Sequence, residues 1–189
     1  MDRCTGLGPR LWHGFHLPRF ATEAASVVGV EPHGDLVMWA RQRTRRLDNV
    51  KVLLGSAQHL PLADDSTDVA HARWSYFFGP GCEPGLRELG RVMRRGGTAF
   101  VLDNDATAST FGRWFAGSLP MHDAEAADRF FSRVGWSVQR LLTSWKFESR
   151  ADFEAVVRIE FAPDYAARIL AEHTGTSVDY SVTLRFRHY

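Results

Sequence analysis

The sequence is poor in cysteine, holds no long apolar run and carries almost no net charge. Its two cysteines, Cys4 and Cys82, cannot build a disulfide framework and fit no zinc spacing, which points to a reducing, cytoplasmic compartment. No stretch reaches the roughly 20 apolar residues that span a bilayer, and no apolar signal core follows Met1, so a soluble chain with no membrane partner is expected. The net charge of +1 comes from 23 basic residues, almost all arginine, spread along the chain among 22 acids. That balance gives no electrostatic case for a nucleic-acid partner. Internal repeats, linkers and low-complexity tracts are missing too. What is present is 189 residues, 44% hydrophobic and 12% aromatic, enough for one sizeable core and a monomer of one domain.

Residues 26–32, Ser-Val-Val-Gly-Val-Glu-Pro, form a short apolar run ended by an acid and a proline. Such a run reads as a buried parallel strand, and open α/β folds place the carboxylate that grips a ribose at the tip of such a strand. Glu31 is therefore the first candidate site residue. Residues 1–13 show neither period 2 nor period 3.6 and carry Gly6, Gly8 and Pro9, so they are expected to be irregular, with the folded domain at 14–189. Phe15, Leu17, Phe20, Ala21 and Ala24 then fall at helical spacing.

Beyond Pro32 the pattern predicts a helix over 35–46 capped by Asp35, a strand over 49–54, a loop over 56–62 and a strand over 67–72. A helix over 83–93 stopped by Gly96-Gly97 and a strand over 98–102 follow. This alternation is that of a parallel sheet covered on both faces. Trp74, Tyr76, Phe77 and Phe78 follow a strand end and are either a substrate lid or aromatics packed under a loop. Asp103-Asn104-Asp105 closes a strand with no His or Cys at ligand spacing, so it reads as a cap for the next helix and no metal is expected. Helices over 109–119, around Trp114, and over 124–134 offer pocket walls.

The tail alternates with period 2. Val178, Tyr180, Val182, Leu184 and Phe186 interleave with Asp179, Ser181, Thr183, Arg185 and Arg187, and Leu141 to Glu148 interleave similarly. Such strands have one wetter face and form most easily an antiparallel pair at a sheet edge. Two helices lie between them, one capped by Ser149 and one started by Pro163.

Four motifs stand in register: Val27-Val28-Gly29-Val30-Glu31-Pro32, Gly55-Ser56-Ala57-Gln58-His59-Leu60-Pro61-Leu62, Asp68-Val69-Ala70-His71-Ala72-Arg73 and Leu89-Gly90-Arg91-Val92-Met93-Arg94-Arg95-Gly96-Gly97. Together they resemble the class I S-adenosylmethionine-dependent methyltransferases of the type 11 kind. The resemblance implies an α/β, Rossmann-like mixed sheet, mostly parallel with an antiparallel C-terminal strand pair. It implies methyl transfer from S-adenosylmethionine to a small-molecule acceptor that the sequence does not name, with no obligatory acid or base. By position, Glu31 would bind the cofactor's ribose hydroxyls, Ser56 and Ala57 would contact its adenine, and Ala72 and Arg73 would lie beside its methionine part. Ser56 departs from the acid often found there. A nicotinamide oxidoreductase would share the ribose-binding acid but not the motifs at 56–62 and 89–97.

The largest departure is at the start. The family opens with an apolar strand and the loop Asp-x-Gly-x-Gly-x-Gly, whose glycines let the backbone close on the cofactor. Residues 8–14 read Gly-Pro-Arg-Leu-Trp-His-Gly, and only Gly14 matches. The distance from Arg10, where the first glycine belongs, to Glu31 still keeps the roughly 20 residues expected. Codons exist for this segment, GGA CCT CGG CTG TGG CAC GGG, that read one base later as Asp-Leu-Gly-Cys-Gly-Thr-Gly. Trp12 and His13 leave almost no codon choice. The segment thus reads as a frame change, with one base missing near the junction of Gly14 and Phe15 and a true start other than Met1. The first central strand is accordingly expected to be missing or degraded, leaving its neighbours unpaired and the chain marginally stable. A truncated, non-catalytic domain that binds little or no cofactor is the second reading.

Overall fold

The computed structural model describes residues 14–75 and 79–189 together with the backbone of Thr5–Pro9. Strands β1 (Thr5–Pro9), β2 (Ser26–Glu31), β3 (Val50–Leu54), β4 (Thr67–Arg73), β5 (Met93–Asn104), β6 (Ser137–Lys146) and β7 (Ser177–His188) form one sheet in the order β3-β2-β1-β4-β5-β7-β6. β1 to β5 run parallel, and β7 lies antiparallel between β5 and β6. This is the mixed α/β sheet expected, with the antiparallel pair at its end.

Helices α1 (Leu17–Ala21) and α2 (Gly34–Thr44) cover Val27 of β2 and Val52 of β3 with Leu17, Val37 and Ala40. On the opposite face of β2, Val30 joins a cluster in which α3 (Glu83–Val92) and α5 (Ala124–Arg133) pack Leu89, Val92 and Phe131 onto Ala99 and Val101 of β5. A separate aromatic core holds α4 (Thr110–Ser118), α6 (Arg150–Glu160) and α7 (Pro163–Glu172) against β7 through Phe111, Phe153, Ile169 and Tyr180. Burying one such aromatic or aliphatic side chain contributes roughly 1.5 to 3 kcal/mol, so the two faces carry most of the folding drive. Trp114, expected as a pocket wall, belongs to this aromatic core.

The first central strand is present. β1 pairs with β2 from Thr5↔Ser26 to Pro9↔Val30, and with β4 at Gly6↔Val69 and Leu7↔Ala70. Parallel pairing is made by the backbone, and glycine supplies the same N–H and C=O groups as any residue. Pro9 lacks only an N–H, and it stands at the strand's last position, where few ladder bonds remain to lose. Irregular structure was expected across this segment, and the strand at Thr5–Pro9 corrects that expectation. Residues 1–4 and 10–13, with Cys4, lie outside the described residues, as do Tyr76, Phe77 and Phe78 of the aromatic stretch.

Three further differences have clear causes. α3 ends at Val92, within one residue of the end expected, but Met93 enters β5 directly with ψ 133°, so the strand starts before Gly96-Gly97 and includes them. Both glycines pair with Tyr189: Gly96 N–H donates to Tyr189 O at 2.6 Å and Tyr189 N–H donates to Gly97 O at 3.0 Å. α2 has no side-chain cap, and Asp35 instead sits in its first turn, where it complements the helix dipole. On the face of β7 read as wetter, Asp179 is exposed as expected, but Ser181, Thr183 and Arg185 are at most 5% exposed. α5 covers that face, and the polar residues form a network there instead of meeting water.

Replacing a β1 residue flanked by two strands tests this arrangement. Leu7→Pro removes an N–H from the sheet's centre and is expected to lower unfolding free energy by about 2 to 3 kcal/mol in urea titrations, whereas Pro9→Ala changes it by less than about 1. Equal midpoints for Leu7→Pro and the parent chain would remove β1 from the sheet.

Candidate functional site

The carboxyl ends of the parallel strands share one edge of the sheet. Glu31 ends β2 fully buried, its Oε1 accepting the His33 N–H at 3.2 Å. Its backbone oxygen accepts from Gly55 N–H at 3.1 Å, which ties the tip of β2 to the tip of β3. A Cβ on Gly55 would lie 2.6 Å from Pro61 Cδ and 3.0 Å from Val30 Cγ1, so only glycine lets the next loop fold back here. Ser56 and His59 close that loop with reciprocal backbone hydrogen bonds of 3.2 and 3.1 Å. Ala57, half-buried, packs on the cluster that contains Leu60.

A clamp from α3 holds the loop down. Arg91 donates to Leu60 O at 3.0 Å and Leu62 O at 2.8 Å, while Glu88 accepts from Leu60 N–H at 2.9 Å. The hydrogen bond from Arg91 holds the Glu88 carboxyl down at about 2. The motifs at 55–62 and 89–97, distant in sequence, are therefore two sides of one contact.

On the other side of β2, Gly14 is buried with φ +68°, and a Cβ there would stand 2.9 Å from Ala40 Cβ. This position requires glycine both for its backbone and for the close passage over α2. β4 ends with buried Ala72 and then Arg73. Arg73 Nη1 lies 2.8 Å from His16 Nε2, and its guanidinium stacks 4.4 Å from the Trp74 ring. A guanidinium can only donate, so His16 Nε2 accepts, and burial together with Arg73 holds His16 below its ordinary value. Burial, Arg73 and His16 push His71 down to about 4. Arg73 is thus the cation of this corner, and its buried Nε has no hydrogen-bond partner among the described residues.

Glu31, Ser56, Ala57, Ala72 and Arg73 lie at or just beyond the ends of β2 to β4, while Gly14 lies against Ala40 of α2. Contacts join them in two groups, β2 with β3 through Glu31 and Gly55, and β4 with the segment before α1 through Arg73 and His16.

Sequence reasoning missed what lies beside them. Trp74, with φ +49°, donates from Nε1 to Asn104 Oδ1 at 3.0 Å, and Tyr180 O–H donates to the same oxygen. Asn104 also lines a small pocket, open to solvent, between the end of β5, the middle of β7 and α5. Asp103 and Asp105 are not helix caps, since Ser109 caps α4 by accepting from Gly112 N–H at 3.0 Å. Both acids belong to a charge network in the pocket wall. Arg185 donates to Asp103 Oδ2 at 3.1 Å and to Asp128 Oδ1 at 2.7 Å. Arg140 reaches Asp128 Oδ2 and, at 3.2 Å, Asp105 Oδ2. The signal was the alternation Ser181, Thr183, Arg185, read as a wet face. Among the described residues no cluster of His, Cys, Asp and Glu could hold a metal, and no helix is long and apolar enough to cross a membrane.

Over residues 12–101 the chain matches the sequence model of the family described as "Methyltransferase domain". Demethylmenaquinone methyltransferase of Staphylococcus aureus is 26% identical over 117 residues, which are 61% of this chain and 47% of that protein. The chain thus spans about half the length of the curated relatives it matches. Among solved structures, the YcgJ protein from Bacillus subtilis has a TM-score of 0.70 at 17% identity, with 100% of this chain and 93% of that chain covered. A SAM-dependent methyltransferase from Aquifex aeolicus has a TM-score of 0.60 at 15% identity, with 97% and 82% covered. At these identities the likeness to the solved structures is one of fold.

Asp103 gives this site a pH signature. Burial raises its carboxyl from 3.8 to about 6, against the opposing pull of Arg185. The folded value lies above the unfolded one, so the stabilisation from its neutral form is complete below pH 4 and is lost as pH rises through 6. Two units correspond to about 3 kcal/mol. Urea unfolding at pH values either side of this window should show the parent chain losing stability toward higher pH, and Asp103→Asn losing about 3 kcal/mol less. Parallel pH profiles for the two chains would refute it.

Proposed function

Because residues 12–101 make the chain a member of the methyltransferase-domain family, we propose that it transfers a methyl group from S-adenosylmethionine to a small-molecule acceptor. The observation that carries this reading is the buried Glu31 at the tip of β2, locked to the glycine turn at the tip of β3. In this reading Glu31 accepts hydrogen bonds from the two ribose hydroxyls, an arrangement that needs an acceptor-only group facing a diol. Ser56 and Ala57, held down by the Arg91 clamp, border the adenine. Gly14 is taken as cofactor-binding from its match to the last glycine of the family loop, and Ala72 leaves the floor flat beside the methionine part. Arg73 supplies the cation for the amino-acid carboxylate, where its unpartnered Nε and its fork of donors fit an anion. When bound, the cofactor brings a methyl group already activated on a sulfonium, so these residues position it and need not activate it. A small-molecule acceptor accords with demethylmenaquinone methyltransferase as a relative, and we read the chain as a cytoplasmic monomer.

We read residues 1–13 as a non-native start on the domain at 14–189. Two observations support the frame change: β1 ends at Pro9, one residue beyond the point where the shifted reading places its aspartate, and the family match starts at residue 12, after that strand. The gene's nucleotides are expected to spell the glycine loop one base out of phase. Codons that lack this alternative reading end the idea.

The second reading, a domain that binds little or no cofactor, is favoured by one observation. Arg10 and Trp12 stand where the family has glycines. Equilibrium titration with S-adenosylmethionine separates the two. Binding is expected, weakened by Glu31→Ala by about 1 to 3 kcal/mol and by Arg73→Met by a similar amount. No binding by the parent chain selects the second reading, and binding indifferent to Glu31→Ala makes Glu31 a merely structural acid.

A further inference from the structure

The residue that follows β4 stands in an unusual backbone. Trp74 has φ +49°, a left-handed conformation that residues with side chains rarely adopt and that bonds from elsewhere must sustain. Two such bonds reach it from β5: its backbone N–H donates to Leu102 O at 2.9 Å, and its indole Nε1–H donates to Asn104 Oδ1 at 3.0 Å. Arg73, the residue before it, lies with its guanidinium 4.4 Å from the Trp74 ring, and its Nη1 donates to His16 Nε2 at 2.8 Å. The guanidinium is thus located by one ring face and one acceptor, and the ring in turn by Asn104.

Asn104 is itself fixed. An indole N–H only donates, so the amide oxygen, not the nitrogen, faces Trp74. The same oxygen accepts the Tyr180 O–H, so each of its lone pairs has a donor. Burial pushes the Tyr180 phenol up to about 12, and it therefore keeps its proton and remains a donor at neutral pH. Tyr180 is 5% exposed, stacked 5.2 Å from Trp145 and set edge-on 4.8 Å from Phe111, so its hydroxyl has little freedom to move away. Between Asp103 and Asp105, position 104 is neutral. A carboxylate there would accept both bonds too, but its charge would compete for the guanidinium; an amide seats the ring and leaves Arg73 its charge.

We propose that Trp74, Asn104 and Tyr180 are positioning residues, which hold the Arg73 guanidinium where it receives the carboxylate of the cofactor's amino-acid part. That ligand rests on the proposed function, whereas the hold on Arg73 does not. Such a hold matters because a free arginine side chain loses rotamer freedom when it captures an anion, and a guanidinium already seated has less to lose. It also joins the cofactor end of the sheet to the aromatic core under α4, α6 and α7, since Tyr180 belongs to both.

Calorimetric titration of the full chain with S-adenosylhomocysteine and with 5′-methylthioadenosine tests this. Both ligands have the adenine, the ribose and a neutral sulfur, and only the first has the amino-acid carboxylate. Trp74→Phe keeps a ring against the guanidinium but removes the indole N–H, and Asn104→Leu removes the oxygen that holds it. Each variant is expected to weaken S-adenosylhomocysteine by about fivefold and 5′-methylthioadenosine by less than about twofold. With Arg73→Met already in place, Trp74→Phe is expected to add less than about twofold. Equal weakening of both ligands, unchanged affinity for the first, or a loss that adds in full to that of Arg73→Met overturns the proposal. Asn104→Leu leaves a buried hydroxyl without its acceptor, and if that variant does not fold, Trp74→Phe carries the test. A parent chain that binds neither ligand counts against the proposed function alone, and the hold on Arg73 is then read from His16. Burial and Arg73 keep the His16 imidazole below its ordinary value, and His71 of β4 is the other titratable group that acts on it among the described residues. In an NMR titration Trp74→Phe should raise the His16 midpoint as Arg73 moves away, and an unmoved midpoint refutes the seat.

Discussion

The pairing of β1 with both β2 and β4 is the constraint on which the rest of the structure depends. On one side of it lie only β2 and β3, and on the other β4, β5, β7 and β6. The two pieces meet nowhere else in the sheet. Without β1, the tip of β2 with Glu31 and the tip of β4 with Arg73 would have no fixed relation, and an edge built from the ends of both would not exist. β1 pairs with β2 from Thr5 to Pro9 and, among the described residues, with β4 at Gly6 and Leu7. Backbone hydrogen bonds make both joints.

The halves solve different problems. On the β2–β3 side the chain must approach itself closely, and glycine does this where a Cβ would collide, at Gly14 against Ala40 and at Gly55 against Pro61. The Glu88–Arg91 clamp then fixes the returning loop from α3. On the β5–β7 side the problem is charge. Arg185 is almost wholly buried, stacked 4.7 Å from Phe131, with two carboxylates on its guanidinium. Such a cluster seldom adds net stability over an apolar core, because desolvating each ion costs several kcal/mol. The raised Asp103 carboxyl is a direct mark of that cost.

Part of this was legible before any fold was known. Apolar runs of strand length ending in Glu31 and Arg73, the Gly55 break and the two period-2 stretches near the end specify strands by local pattern alone, and their order implies a parallel sheet with an antiparallel end. Glu31 could be singled out because a strand-end acid in a doubly wound sheet has a restricted set of roles. β1 was not legible, since Gly-Leu-Gly-Pro has no pattern of its own and becomes a strand only by lying between two others. Arg185 and Thr183 look from their alternation like a wet face, and polarity by itself does not distinguish water from a buried partner. Asp103 was misjudged for a related reason: an acid at a strand end reads as a cap, and its partner stands 82 residues later.

The sequence by itself determined strands β2 to β7, the helices and the acid at the tip of β2, because those follow from periodicity and local backbone preference. Tertiary structure alone decided that Thr5–Pro9 completes the sheet, that Arg91 holds a loop 29 residues upstream, and that Asp103 keeps an oxygen without a donor. Each of these turns on which groups from distant segments arrive within hydrogen-bond reach and which are shut away from water. No local property of the chain encodes that.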